Sequence, residues 1–291
     1  MKKILAIILV LILTVPLSLS LGACEKNMEY PVYLICGQSN ANGNGHYSDL
    51  PSAYKSAVFD KISVFCGGGS NSAVYGKILP VAVVDEDDDM QCLGTSISKF
   101  GLEVGIADYF TEEKYEAGLI KCGFDGASIN LNNTRYGTWW TESDDIPSGV
   151  IDCYSAFLEE TKTALSLFTE QGKKPVIKGV FWMQGESNQG DATYKDDLVN
   201  LIKKMKADLS DYVDKNFTCV AGTISYVSPG VYSKNCAVNV AIRELADENE
   251  GFAYVESGKY ATNPSDTYHW TGNTLIRIGN EFAETMLEKT K

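Results

Sequence analysis

The chain has 291 residues, 44% of them hydrophobic, 11% aromatic and 22% charged, a balance that excludes a disordered, collagenous or coiled-coil protein. With 38 Asp and Glu against 25 Lys and Arg the formal charge is −13, so no nucleic acid and no anionic membrane face is expected as a partner. The chain's two histidines, His46 and His269, are too few for a zinc site built from several imidazoles.

Lys2 and Lys3 open the chain, an apolar run follows from Ile4 to Leu21, and Leu21-Gly22-Ala23-Cys24 closes it. This is the pattern of a secretion signal over residues 1–23. Leu-Gly-Ala-Cys also resembles the bacterial lipobox, in which Cys24 is acylated and becomes the new N-terminus. The expectation is an extracytoplasmic protein, a lipoprotein that meets the bacterial membrane only through Cys24, with simple secretion or a retained anchor as the alternatives. No later stretch is long and apolar enough to cross a bilayer.

Residues 24–291 contain no linker, repeat or low-complexity tract and read as a single domain. Short apolar runs predict strands at Val32 to Cys36, Ile62 to Cys66, Gly118 to Cys122, Val176 to Trp182, Phe217 to Ile224 and Phe252 to Val255. Helical periodicity lies between them, at Gly105 to Thr111, Ile151 to Glu170, Tyr194 to Leu209, Ala237 to Glu248 and Gly272 to Glu288. That alternation predicts an α/β protein with a mainly parallel sheet covered on both faces. The stripe Leu198, Leu201, Ile202, Met205 and Leu209 reads as core packing. Asp85 to Asp89 lacks the glycine and closing glutamate of a calcium loop and reads as solvated. Seven scattered cysteines beyond Cys24, with no C-x-x-C among them, form neither a metal-site pattern nor a disulfide framework.

In such a sheet, chemistry belongs on the loops at the carboxyl ends of the strands. The first strand runs into Gly37-Gln38-Ser39-Asn40-Ala41, a strand-to-helix turn that can hold a serine hydroxyl above the sheet edge. A nucleophilic serine needs a base, and His269 is the better candidate because Asp266, three residues earlier, can orient its ring. Trp182-Met183-Gln184-Gly185-Glu186-Ser187 follows the strongest strand, and the Gln184 amide there can donate to an oxyanion.

The ordered blocks Gly37-Gln38-Ser39-Asn40, Trp182-x-Gln184-Gly185-Glu186-Ser187 and Asp266-x-x-His269 resemble those of the SGNH hydrolase superfamily. The likeness is to its sialate O-acetylesterase and carbohydrate esterase family six (acetylxylan esterase-like) branch. The resemblance implies a three-layer α/β/α sandwich with a flavodoxin-like sheet, and removal of acetyl groups from sugars such as sialic acid or xylan. It implies Ser39 as nucleophile, His269 as base and Asp266 as acid, with Glu186 the alternative acid. It also implies an oxyanion hole of Ser39 N–H, Gly126 N–H and Gln184; the family more often has two glycines followed by threonine around Gly126, so Asp125 and Ala127 are departures. Glu103, in a segment resembling Gly-Pro-Glu, keeps a helix-start role. Gln38, Asn40, Trp139, Trp140, Tyr268 and Trp270 are the candidate substrate contacts, Trp139 and Trp140 as faces for a sugar ring, Tyr268 and Trp270 as the flanks of His269 that shape the acetyl pocket. No cofactor or metal is called for. A glycan-binding protein without turnover, or an esterase for lipids or thioesters, are the competing readings.

Overall fold

In the computed structural model, which describes residues 28–83, 91, 93–96, 98–227 and 232–290, seven strands form one sheet. The signal segment with Cys24, the acidic run Asp85 to Asp89 and Cys92 lie outside these residues. Numbered in chain order, β1 is Glu29–Gly37, β2 Val58–Cys66, β3 Ile78–Ala82, β4 Ala117–Gly123, β5 Lys174–Met183, β6 Val213–Gly222 and β7 Phe252–Val255. They lie side by side as β7-β6-β5-β1-β4-β2-β3. Every neighbouring pair is parallel except β2 with β3.

Each of the six expected strands is present. The seventh, β3, carries Pro80, a residue tolerated at the outer edge of a sheet because the missing N–H has no inner neighbour to serve. The expected flavodoxin-like order does not hold. A flavodoxin sheet runs 2-1-3-4-5, whereas here β4, the third parallel strand, lies between β1 and β2. After β2 the chain first adds the edge strand β3 and then crosses back, which places β4 in the gap.

The helices are α1 Ser39–Asn42, α2 Glu103–Glu112, α3 Cys153–Glu170, α4 Tyr194–Asp208, α5 Ala237–Glu248 and α6 Gly272–Thr290. They make the molecule a three-layer sandwich. Val32, Leu34 and Cys36 of β1 pack in a core with α3, α4 and α5, while Tyr33 and Ile35 face a second core with α2 and α6. This period-two alternation explains why the strand reads as one apolar run: both of its faces are covered. The Leu198, Leu201, Ile202, Met205 and Leu209 stripe lies in the first core. Among the described residues no helix is long and apolar enough to cross a membrane.

One ion pair lies between these layers. Lys121 Nζ of β4 stands 3.4 Å from Glu103 Oε1, and both side chains are 0% exposed. Glu103 Oε1 also accepts from Gly101 N–H at 2.7 Å, and Lys121 donates to the Leu93 carbonyl. Glu103 thus does more than favour the start of α2; it fastens that start to the central sheet through a charge pair that neither partner could leave without a large desolvation cost.

The sheet also fixes where loops can meet. Gly37 at the end of β1 is level with Gly123 of β4 and Met183 of β5. The connection after β1 leads toward β2, and that after β4 leads to β5 on the opposite side. Such a reversal opens a crevice at the carboxyl ends of the strands.

Candidate active site

The loop after β1 begins with a glycine that no other residue can replace comfortably. Gly37 has φ +140°, and a Cβ there would fall 2.0 Å from the Met183 carbonyl oxygen. Gln38 N–H then donates to that carbonyl at 3.0 Å, and Ala41 and Asn42 N–H both close on Gln38 O at 2.9 Å. The chain thereby turns from strand into α1 within two residues. Ser39 and Asn40 stand in the first turn, where backbone N–H groups have no helical acceptor.

Ser39 Oγ lies 2.8 Å from His269 Nε2. The imidazole comes from a hairpin of Thr262–Asn263 (β8) and Asp266–Trp270 (β9), in which Thr262 pairs with Trp270 and Asn263 with Asp266. Residues 267–269 are therefore bulged out between the two pairs. The bulge is what lets Asp266 Oδ2 reach His269 Nδ1 at 2.6 Å, since side chains three apart on a regular strand point to opposite faces. The expected contact is present, on a bulged strand and not on a helix-start turn. A neutral ring satisfies both neighbours only with its proton on Nδ1, which leaves the Nε2 lone pair for the serine hydroxyl.

Asp266 is partly buried, which pushes its carboxyl up, but the hydrogen bond and charge of His269, the Tyr268 N–H and the more distant Lys99 outweigh this and hold it below the usual carboxylate range. Glu186 sits differently. Burial raises its pKa against the opposing pull of its own N–H, Asn40 and His269; Oε1 accepts from Asn40 Nδ2 at 2.6 Å, and the buried Oε2 has no partner. The ring nitrogen thus faces Asp266, while Glu186 faces an amide.

Gly126 is the left-handed residue of a turn in which Ala127 N–H donates to Phe124 O at 3.1 Å; its φ is +68°. Its own N–H donates to no described residue. Gln184 does not fit the role expected of it. It is fully buried, and its amide nitrogen donates to Ala127 O at 3.1 Å and Asn188 Oδ1 at 2.8 Å, so both hydrogens are engaged away from the serine. The neighbouring amide is better placed. Gln38 Oε1 accepts from Gly185 and Ser187 N–H at 3.3 and 3.4 Å, while its amide nitrogen donates to no described residue and the side chain lines the cavity at Ser39.

That cavity, of about 920 Å³, is bounded by Ser39, His269, Gly126 and Glu186 together with Tyr136, Tyr232, Tyr268 and Arg135. Tyr268 is 56% exposed and takes its expected place. Asn40 is fully buried and is a strut beneath the site instead of a wall. Trp139, expected as a sugar platform, and Trp270, expected to shape the acetyl pocket, are 0% and 1% exposed. Trp139 packs against Phe124, Phe157 and Trp182 and donates to Gly37 O at 3.1 Å, so it braces the strand end below Ser39. Trp140 lines a separate groove of about 510 Å³ against α4, and His46 pairs in a short ladder with Lys99. Tyr136, Tyr232 and Arg135 carry no motif that would single them out in the sequence.

A family described as "Carbohydrate esterase, sialic acid-specific acetylesterase" matches residues 29–288. No curated protein matches the chain. Among solved structures, a protein of Arabidopsis thaliana is 17% identical with a TM-score of 0.61, covering 91% of this chain and 100% of its own. NanS is 16% identical with a TM-score of 0.59, over 89% and 97%. A carbohydrate acetylesterase from Xanthomonas citri is 15% identical with a TM-score of 0.57, over 89% of this chain and 56% of that one. At these identities the likeness is one of fold.

Proposed function

The chain belongs to the carbohydrate esterase, sialic acid-specific acetylesterase family, and from that premise we propose that it is a serine esterase of the SGNH type that releases acetate from O-acetylated sugars. Ser39 Oγ attacks the acetyl carbonyl as His269 Nε2 takes its proton. Asp266 keeps the ring in the required tautomer and stabilises the imidazolium. The negative oxygen of the tetrahedral intermediate is received by the N–H groups of Ser39 and Gly126 and by the Gln38 amide, each donor contributing about 3 kcal/mol by analogy with measured oxyanion holes. His269 returns the proton to the departing sugar oxygen, leaving an acetyl ester on Ser39. Water, deprotonated by the same nitrogen, attacks that ester, and acetate leaves as Ser39 regains its hydrogen.

The single observation that carries this reading is the imidazole of His269, 2.8 Å from Ser39 Oγ on one side and 2.6 Å from Asp266 on the other. The signal and lipobox extend it: the enzyme would act outside the cytoplasm, anchored at Cys24. Replacing Ser39 with alanine tests the chemistry. Acetate release from acetylated sugars should fall by about four orders of magnitude or more, and a fluorophosphonate should label Ser39 in the parent protein alone. Near-normal turnover in the variant would remove the proposal.

A further inference from the structure

The loops after β4 and β5 enclose a second cavity, of about 420 Å³, lined by Asn132 and Asn133 of the first loop and by Gln189, Asp191 and Ala192 of the second. Glu186 and Ser187 line both this cavity and the one over Ser39, so the two share an edge. Asn132, Asn133 and Gln189 are exposed, and their side-chain amides make no hydrogen bond with any described residue. The backbone beneath them is tied down by two buried asparagines, Asn130 and Asn188, which are 3% and 0% exposed. Asn130 Nδ2 donates to Asp191 Oδ2 at 2.7 Å, and Asn188 Nδ2 donates to Asn130 Oδ1 and Asp191 Oδ2 at 3.3 Å each. Asn188 Oδ1 accepts from Ile129 N–H at 3.0 Å, and Asn130 Oδ1 also accepts from Asn132 N–H at 3.1 Å. Asp191 Oδ1 takes the Thr193 N–H and hydroxyl at 3.0 and 2.8 Å.

We propose that this amide-lined cavity is a subsite for a neutral sugar unit joined glycosidically to the acetylated one, so that an acetyl group carried within a glycan chain is removed more readily than one on a free monosaccharide. This rests on the esterase reading above and adds the length of its substrate. A sugar hydroxyl donates and accepts, and each side-chain amide offers both kinds of group. No lysine or arginine lines the cavity, which leaves an anion without a counter-charge. The Asp191 carboxylate is engaged by its own loops and Glu186 Oε1 by Asn40, so the three free amides are the groups left to recognise a ligand. Because the loops are already tied together, binding orders little beyond those side chains. With the acetyl group at Ser39, the adjoining unit passes over Glu186 and Ser187 and meets Asn132, Asn133 and Gln189.

The test compares a single acetylated unit with the same unit in a chain, in two series: methyl xyloside against methyl xylotrioside acetylated on its central unit, and O-acetylated N-acetylneuraminic acid free or linked to lactose. In at least one series the parent enzyme should favour the chain in kcat/KM by about tenfold, the worth of two or three hydrogen bonds. The double variant Asn133→Ala with Gln189→Ala should bring that ratio close to unity through the KM of the chain. A gain in either series that the double variant abolishes supports the proposal. A gain that survives in the variant, or no gain in either series, would overturn it. Calorimetry separates this from the esterase reading: Ser39→Ala protein should bind unacetylated xylotriose or sialyllactose about tenfold more tightly than the corresponding monosaccharide, and adding the two alanines should remove the difference. Equal binding of chain and monosaccharide to Ser39→Ala protein would count against the subsite, whereas a parent protein that hydrolyses no ester strikes only the catalytic reading.

Discussion

Asn40 Nδ2 lies 2.6 Å from Glu186 Oε1, and the same nitrogen lies 3.0 Å from the Tyr268 carbonyl oxygen. One buried amide, next in sequence to Ser39, thus ties the loop after β5 and the hairpin of His269 to the loop after β1. Its removal leaves a buried carboxyl and a carbonyl without their donor. Asn40→Ala should cost about 1–3 kcal/mol of stability and lower kcat with a smaller change in KM; thermal melts and steady-state rates check both.

Glu186 gives this strut a pH signature. Because burial raises its carboxyl in the folded protein, folding favours the protonated form, and ionisation counts against stability. The penalty is absent in acid, grows as pH rises above the unfolded value of about 4.3, and levels off beyond the folded value. Glu186→Gln keeps an oxygen for Asn40 and removes the charge. Its melting temperature should match the parent's near pH 4 and exceed it at pH 8; a fall at both would mean the carboxylate is needed.

Asp266 works in the opposite sense. Held below the usual carboxylate range, it contributes stability above its unfolded value of about 3.9 and loses it as pH falls through the lower folded value. Asp266→Asn should therefore melt below the parent at neutral pH and converge with it in strong acid. Its kcat should fall by about three to four orders of magnitude, from loss of the ring's tautomer. Glu186→Gln measured alongside separates the two candidate acids, since only the Asp266 variant should show that collapse.

The two glutamines part by kinetics and stability. Gln38→Ala removes the amide at the cavity and should cost about 10²–10³ in kcat. Gln184→Ala should act chiefly on stability, because its amide holds Ala127 O and Asn188. The reverse pattern would restore Gln184 to the oxyanion.

Gly37→Ala tests the strand end. A methyl group 2.0 Å from the Met183 carbonyl cannot be housed without moving β1 against β5, at about 1–3 kcal/mol or more. Melting temperature and fluorophosphonate labelling of Ser39 should fall together.

The sequence carried the parallel strands because apolar runs mark covered strands, and it offered Ser39, Asp266 and His269 as candidates because short polar blocks mark strand ends; that Ser39 and His269 meet is a property of the fold. What it did not carry depends on the third dimension. Pro80 hides an edge strand, and nothing near it records that β4 will enter between β1 and β2. Trp139 reads as a platform and Trp270 as a pocket wall because a tryptophan beside a polar loop looks the same whether its ring faces solvent or core. Gln184 and Gln38 are equivalent as residue types, and only their partners tell which amide is engaged.

Rapid quenching of the parent enzyme with an acetylated sugar, followed by mass spectrometry of its peptides, tests the central claim most directly. One acetyl group should appear on the peptide containing Ser39, decay as acetate is released, and be absent in Ser39→Ala. Steady acetate release with no acetyl on that peptide, or an unimpaired rate in the alanine variant, would contradict the account.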